Sequence, residues 1–187
     1  MRRRDRRTIL RLGLMAGIAA VAGPRSTLAQ TSDVSAEQRV RELKLELPKF
    51  DAPRGGSNVP LVQAGGLVFL SGLGPRTPDG SYVTGRLGKD ISVDQAYQHA
   101  RLAGLRALAT LKDGLGSLDK VTRVVKLLGL VNSTPDFVEF GRVINGCSDL
   151  LVEVFGAQRG RHARTVMGVP SLPFGMSVEI DLVVAVA

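Results

Sequence analysis

The chain has 187 residues, room for one domain, and its 44% hydrophobic content can fill a core. Aromatic residues make up only 4% and Trp is absent, which excludes a broad aromatic stacking platform. The net charge of +8 is local: residues 1–29 hold seven Arg and one acid, leaving 18 Lys and Arg against 16 Asp and Glu elsewhere, so no basic nucleic-acid-binding stripe is expected.

In chain order, residues 1–29 read as a leader in three parts. Met1 to Arg7 is basic, Leu12 to Ala22 is apolar, and Thr27-Leu28-Ala29 places small residues where a signal peptidase accepts them. The apolar run of 11 residues is too short to span roughly 30 Å of hydrocarbon as a helix. Arg6-Arg7-Thr8-Ile9-Leu10 resembles a twin-arginine export signal. It implies a periplasmic or secreted protein, with no stable membrane association once the leader is cut.

Residues 30–57 are polar and mixed and read as an arm leading into a domain at 58–187. A short helix fits Ser35–Leu45, before Pro48, Pro53, Gly55 and Gly56 break regular structure. Leu61–Ala64 and Leu67–Ser71 have strand character, and residues 74–80 compose a turn. Ser92 to Leu115 predicts a long helix. Ser92 serves as N-cap, Asp94 and Gln95 fill the first turn, and Ala96, Ala100, Ala103, Ala107 and Leu111 form one face. Val121–Val131 predicts a strand. Asp136–Phe155 predicts a second helix carrying Cys147, the sole cysteine, as a buried small residue. Ala163–Val169 and Met176–Val186 predict the last strands. In the final one Val178, Ile180 and Leu182 take one face and Ser177, Glu179 and Asp181 the other. The order predicts an α+β domain whose mixed sheet has two helices packed on one face. Its other face must be wet or hidden by a partner, and beside such apolar strands self-association is the natural expectation.

Cofactor and metal motifs fail. Gly72-Leu-Gly74 lacks the third Gly of a dinucleotide fingerprint, and Gly88-Lys89 is followed by Asp90 rather than Ser or Thr. His99 and His162 are isolated, so neither a metal nor a cofactor is expected, and His162 reads as a surface residue beside Arg164.

What remains is residues 160–173 (GRHARTVMGVPSLP) followed by Val178-Glu179-Ile180, together with Leu70-Ser71-Gly72, Val143-Ile144-Asn145 and Leu118-Asp119-Lys120-Val121. In this order the pieces resemble the signature of the RidA family (YjgF, reactive intermediate deaminase), over roughly residues 58–186. The resemblance implies a chorismate-mutase-like fold and a homotrimer with pockets at its subunit clefts. It also implies cofactor-free hydrolysis of a small enamine or imine carboxylate to a keto acid and ammonia. Arg164 would grip the carboxylate as a two-pronged donor. Glu179 would orient or deprotonate the attacking water. Ser71 and Gly72 would line the pocket, and Asn145 would support a loop or the ligand. Two positions depart from the pattern: Asn58 stands where a pocket Tyr is common, and Val166 where a Cys is common. The alternative is a non-catalytic trimer of the same fold that binds a small carboxylate. The near-neutral domain argues against a ribonuclease.

Overall fold

The computed structural model describes residues 35–49 and 57–187; the expectations for the leader lie outside the described residues. Within them, no helix is long and apolar enough to cross a membrane.

Ser35 caps helix α1 (Ala36–Glu42) by accepting from the Gln38 amide. Ala36 and Val40, one turn apart, are buried in the main core. Glu37 accepts from the Leu118 amide and pairs with Lys112 at 2.7 Å. The segment read as an arm therefore contributes a helix to the core, because its apolar stripe has a surface to cover.

Strands β1 (Leu61–Ala64) and β2 (Leu67–Leu70) form a hairpin. Helix α2 (Val93–Leu115) opens with the expected capping box: Gln95 N donates to Ser92 Oγ at 3.2 Å, and Ser92 N donates to Gln95 Oε1 at 2.9 Å. It closes on Gly116, whose φ of 80° is left-handed. Strand β3 (Val121–Asn132) follows.

Helix α3 (Phe140–Gly160) starts later than the expected Asp136, because the Phe137 amide bonds back to the Thr134 carbonyl and closes a turn around Pro135. It breaks at Gly156 (φ 74°, ψ 165°) and then completes one more turn. Strands β4 (Ala163–Val169) and β5 (Val178–Val186) complete the sheet. Strand β5 starts two residues after the expected Met176, since residues 173–175 form a 3-10 turn and Met176 makes only an isolated bridge to Thr84.

The five strands lie in the order β1-β2-β5-β3-β4. Only β3 and β4 run parallel, the pair joined through α3. Two rows of this register position the candidate residues. Leu127 lies opposite both Arg164 and Leu182, and Leu130 lies opposite both Met167 and Glu179. Leu127 and Leu182 are buried beneath the helices. Side chains alternate along a strand, so Leu130 and its row face the other way. That outer face carries Val62, Phe69 and Met167, each more than 40% exposed.

Candidate functional site

One group of the expected residues meets where the chain leaves β2 and crosses the start of β5. Leu73 and Ile180 exchange backbone hydrogen bonds of 2.8 and 2.9 Å, which brings Gly72 against Glu179. A Cβ at position 72 would overlap the Glu179 carboxylate, so glycine leaves the carboxylate room to lie against the backbone there. The Ser71 hydroxyl donates to the Val59 carbonyl at 2.5 Å and is spent on holding the chain ahead of β1.

Ser71, Gly72, Leu73 and Glu179 line a cavity of about 1230 Å³ together with Arg76, Tyr82 and Phe174. Tyr82 stacks on Phe174 with ring centroids 4.8 Å apart, and the Arg76 guanidinium lies 4.2 Å from the Tyr82 centroid. Glu179 is half-buried, and its carboxyl is pushed above the usual range, chiefly by burial and next by the neighbouring Asp181. A carboxylate shifted in that direction is a better proton acceptor than one in water.

A second group assembles on the helix-covered face, where edge strand β4 passes α3. The Arg164 Nη1 donates to Asn145 Oδ1 at 2.8 Å and to Ser148 Oγ at 3.0 Å. Asn145 and Ser148 are three residues apart on α3 and so share a helix face. Both protons of Nη1 are thus engaged, and no described residue accepts from Nε or Nη2. That Nε–Nη2 edge is the side-on fork that a carboxylate takes with two parallel bonds. Gly141, a turn before Asn145, leaves the Nη2 side uncovered: a Cβ there would stand 3.6 Å away. Asn145 therefore anchors the arginine through Oδ1.

His162 is half-buried and bonded, not the solvated surface residue expected. Its Nδ1 lies 2.7 Å from the Gly160 carbonyl and its Nε2 3.1 Å from Ser148 Oγ. Burial holds its pKa below the ordinary histidine value, with Arg164 adding to the effect. Cys147 is fully buried as expected, and burial pushes its thiol up to about 12.

The two groups do not meet within the chain. Arg164 shares its row with Leu127 on the helix face, while Glu179 shares its row with Leu130 on the outer face. The expectation of one site holding both is corrected for a single chain: the sheet separates them. Among the described residues, no three His, Cys, Asp or Glu side chains cluster to hold a metal ion.

Residues 37–185 match the profile of the family described as "YjgF/chorismate mutase-like, putative endoribonuclease". Protein TCP17 of Trypanosoma cruzi is 41% identical over 145 residues, 78% of this chain and 90% of that protein. The crystal structure of protein Atu1372 from Agrobacterium tumefaciens, of unknown function, is 41% identical. It superposes with a TM-score of 0.73 over 82% of this chain and 94% of that one. A Shewanella oneidensis protein carrying the same endoribonuclease designation is 31% identical, with a TM-score of 0.76 over 81% and 99% of the two chains. The profile spans the core helices and all five strands, and the chain belongs to the YjgF/chorismate-mutase-like family, the one to which the signature around Arg164 and Glu179 pointed.

Proposed function

We propose that the chain assembles as a homotrimer and hydrolyses a small enamine- or imine-derived carboxylate to a keto acid and ammonia. In this reading the Arg164 group of one protomer and the Gly72–Glu179 cavity of its neighbour form one site, and the leader exports the protein to the periplasm or beyond. The observation that carries the reading is the guanidinium itself: Nη1 is fastened to α3 while the Nε–Nη2 fork is left open.

A carboxylate on that fork holds the substrate's imine carbon at a set distance from the cleft wall. Water adds to that carbon as Glu179 takes its proton, and the C=N electron pair moves to nitrogen. Glu179 returns that proton to the nitrogen, giving the carbinolamine, which then collapses: the hydroxyl proton passes to nitrogen, ammonia leaves and the carbonyl forms. Net, one imine and one water give one keto acid and one ammonia, with no redox step. The raised pKa of Glu179 suits it to both accept and return the proton.

The test mixes purified protein with freshly generated 2-aminoacrylate or other imino acids and follows keto-acid release. Arg164→Ala should lower kcat/KM about a hundredfold or more, the loss expected for two charge-assisted bonds. Glu179→Gln should lower kcat by about a hundredfold while a keto acid still binds. A wild-type protein that binds small acids but turns over no imine would establish the binding-protein alternative, which needs the arginine fork and not the carboxylate.

A further inference from the structure

We propose that Ser148 and His162 form a one-directional hydrogen-bond relay that orients the Arg164 guanidinium, making both positioning residues for carboxylate binding. The relay rests on the reading of Arg164 as the carboxylate anchor.

The direction of each bond follows from donor and acceptor chemistry. A carbonyl oxygen only accepts, so the contact of 2.7 Å between His162 Nδ1 and the Gly160 oxygen requires the proton on Nδ1. In the neutral ring Nε2 is then a bare lone pair. Its partner at 3.1 Å is Ser148 Oγ, which must donate its single hydrogen there. The serine oxygen is left with lone pairs alone to offer, and the donor that reaches it, at 3.0 Å, is Arg164 Nη1. A guanidinium cannot accept, so the chain runs one way: arginine to serine, serine to histidine, histidine to the Gly160 backbone. Asn145 Oδ1 takes the other Nη1 proton at 2.8 Å. Two acceptors with fixed orientation on one nitrogen determine both the position and the tilt of the guanidinium plane.

The neutral ring that the relay needs is the form that this place favours. Burial opposes the imidazolium more strongly than the Gly160 hydrogen bond favours it, and the adjacent Arg164 opposes it as well. An imidazolium would turn a second donor toward Ser148 Oγ, placing two cationic donors on one oxygen. The Gly160 carbonyl is itself fixed, because Gly160 packs so closely on the Leu151 carbonyl and Val152 that a Cβ there would clash with backbone. The last turn of α3, after its break at Gly156, thus ends in a rigid acceptor for the ring.

Pyruvate serves as the carboxylate probe, with binding read by calorimetry and turnover by keto-acid release from imino acids. Ser148→Ala and His162→Leu should each raise the pyruvate Kd and the KM about tenfold, the worth of one bond to a charged group, with kcat nearly unchanged. His162→Gln, whose amide oxygen can accept from Ser148 where Nε2 does, should restore most of the affinity. Long-range proton–nitrogen NMR correlations should place the His162 proton on Nδ1, the less common tautomer in solution. A proton on Nε2, or pyruvate binding unchanged in folded Ser148→Ala protein, would overturn the relay. Arg164→Ala separates the two levels. Binding lost there but intact in Ser148→Ala and His162→Leu sinks the relay alone, whereas binding intact in Arg164→Ala sinks the anchor and the relay together.

Discussion

Glu179 and Asp181 stand two positions apart on the outer face of β5, and both carboxyls are pushed up: Glu179 by burial and then by Asp181, Asp181 by burial. A carboxyl whose folded pKa exceeds its unfolded value binds more protons in the native state between those two values. Stability therefore falls as pH rises through that interval, and the cost disappears below the unfolded value, where both states are protonated. Asp181→Asn should raise the Tm at neutral pH, and the gain should shrink to nothing as pH falls below the ordinary aspartate range. The same change removes a like charge from beside Glu179, so the acid limb of the rate profile should move to lower pH. Burial remains as the larger cause, so that limb should stay above the usual carboxylate range. Thermal scans and rate profiles across acid pH check both statements. The residues themselves were legible in the sequence because the signature is local: Arg164, Glu179, Ser71 and Gly72 lie in short motifs. Strand alternation also gave the face of Glu179. The face of Arg164 was not legible, since it depends on the register of β4 against β3, two strands separated by the whole of α3. Ser148 escaped for the same reason: its spacing from Asn145 puts it on the right helix face, but what that face meets is decided by the sheet.

Helices α2 and α3 hold the Arg164 group in place through an unusually close approach. Along α2, Ala96, Ala100, Ala103 and Ala107 are fully buried, and opposite them α3 presents Gly146. A Cβ on Gly146 would overlap the Tyr97 carbonyl and press on the Arg101 amide, which are backbone atoms of α2 and cannot rotate away. Gly146→Ala should therefore force the helices apart and cost about 3 kcal/mol, the upper end for an overpacked core. It should also weaken pyruvate binding, because Asn145 and Ser148 flank it on α3. Gly104→Ala is the matched control. Its Cβ would meet mainly the side chains of Leu150 and Cys147, which can yield, and alanine gains about 1 kcal/mol of helix propensity. Its net cost should be under about 1 kcal/mol. Urea unfolding of both variants measures the contrast. At this scale the sequence was most informative. The alanine ladder and the Ser92 box of α2 each act within one or two turns, so a local pattern sufficed. The start of α3 and the start of β5 were misplaced where a turn around Pro135 and a 3-10 turn at residues 173–175 replaced regular structure. Helix α1 was placed approximately, but its burial required knowing that α3 and the 3-10 turn at Leu118–Lys120 lay beneath it.

For the molecule as a whole, the sheet sets the problem that assembly has to solve. Its helix face is closed, while its outer face presents Val62, Phe69 and Met167 around a pair of half-buried carboxylates. These exposed apolar residues suit the chain-to-chain contact that the proposed trimer needs. The expected homotrimer would be read directly as a native mass of three chains. A ring of three uses heterologous contacts, in which one patch of a protomer meets a different patch of the next. That suits the proposed site in two halves, in which a neighbour brings together Arg164 and Glu179 from opposite faces of the sheet. The arrangement makes a prediction that no single-chain site shares. Arg164→Ala and Glu179→Gln proteins, each about a hundredfold impaired alone, should regain turnover when unfolded together in equal amounts and refolded. A site is intact when the first chain keeps its arginine and the second its carboxylate, which random mixing achieves at about a quarter of the interfaces. Recovery near that fraction of wild-type activity, with no recovery when either variant is refolded alone, would establish the shared site. Mixed oligomers that form, as mass spectrometry would verify, yet remain inactive would mean that the arginine and the carboxylate do not serve the same cleft.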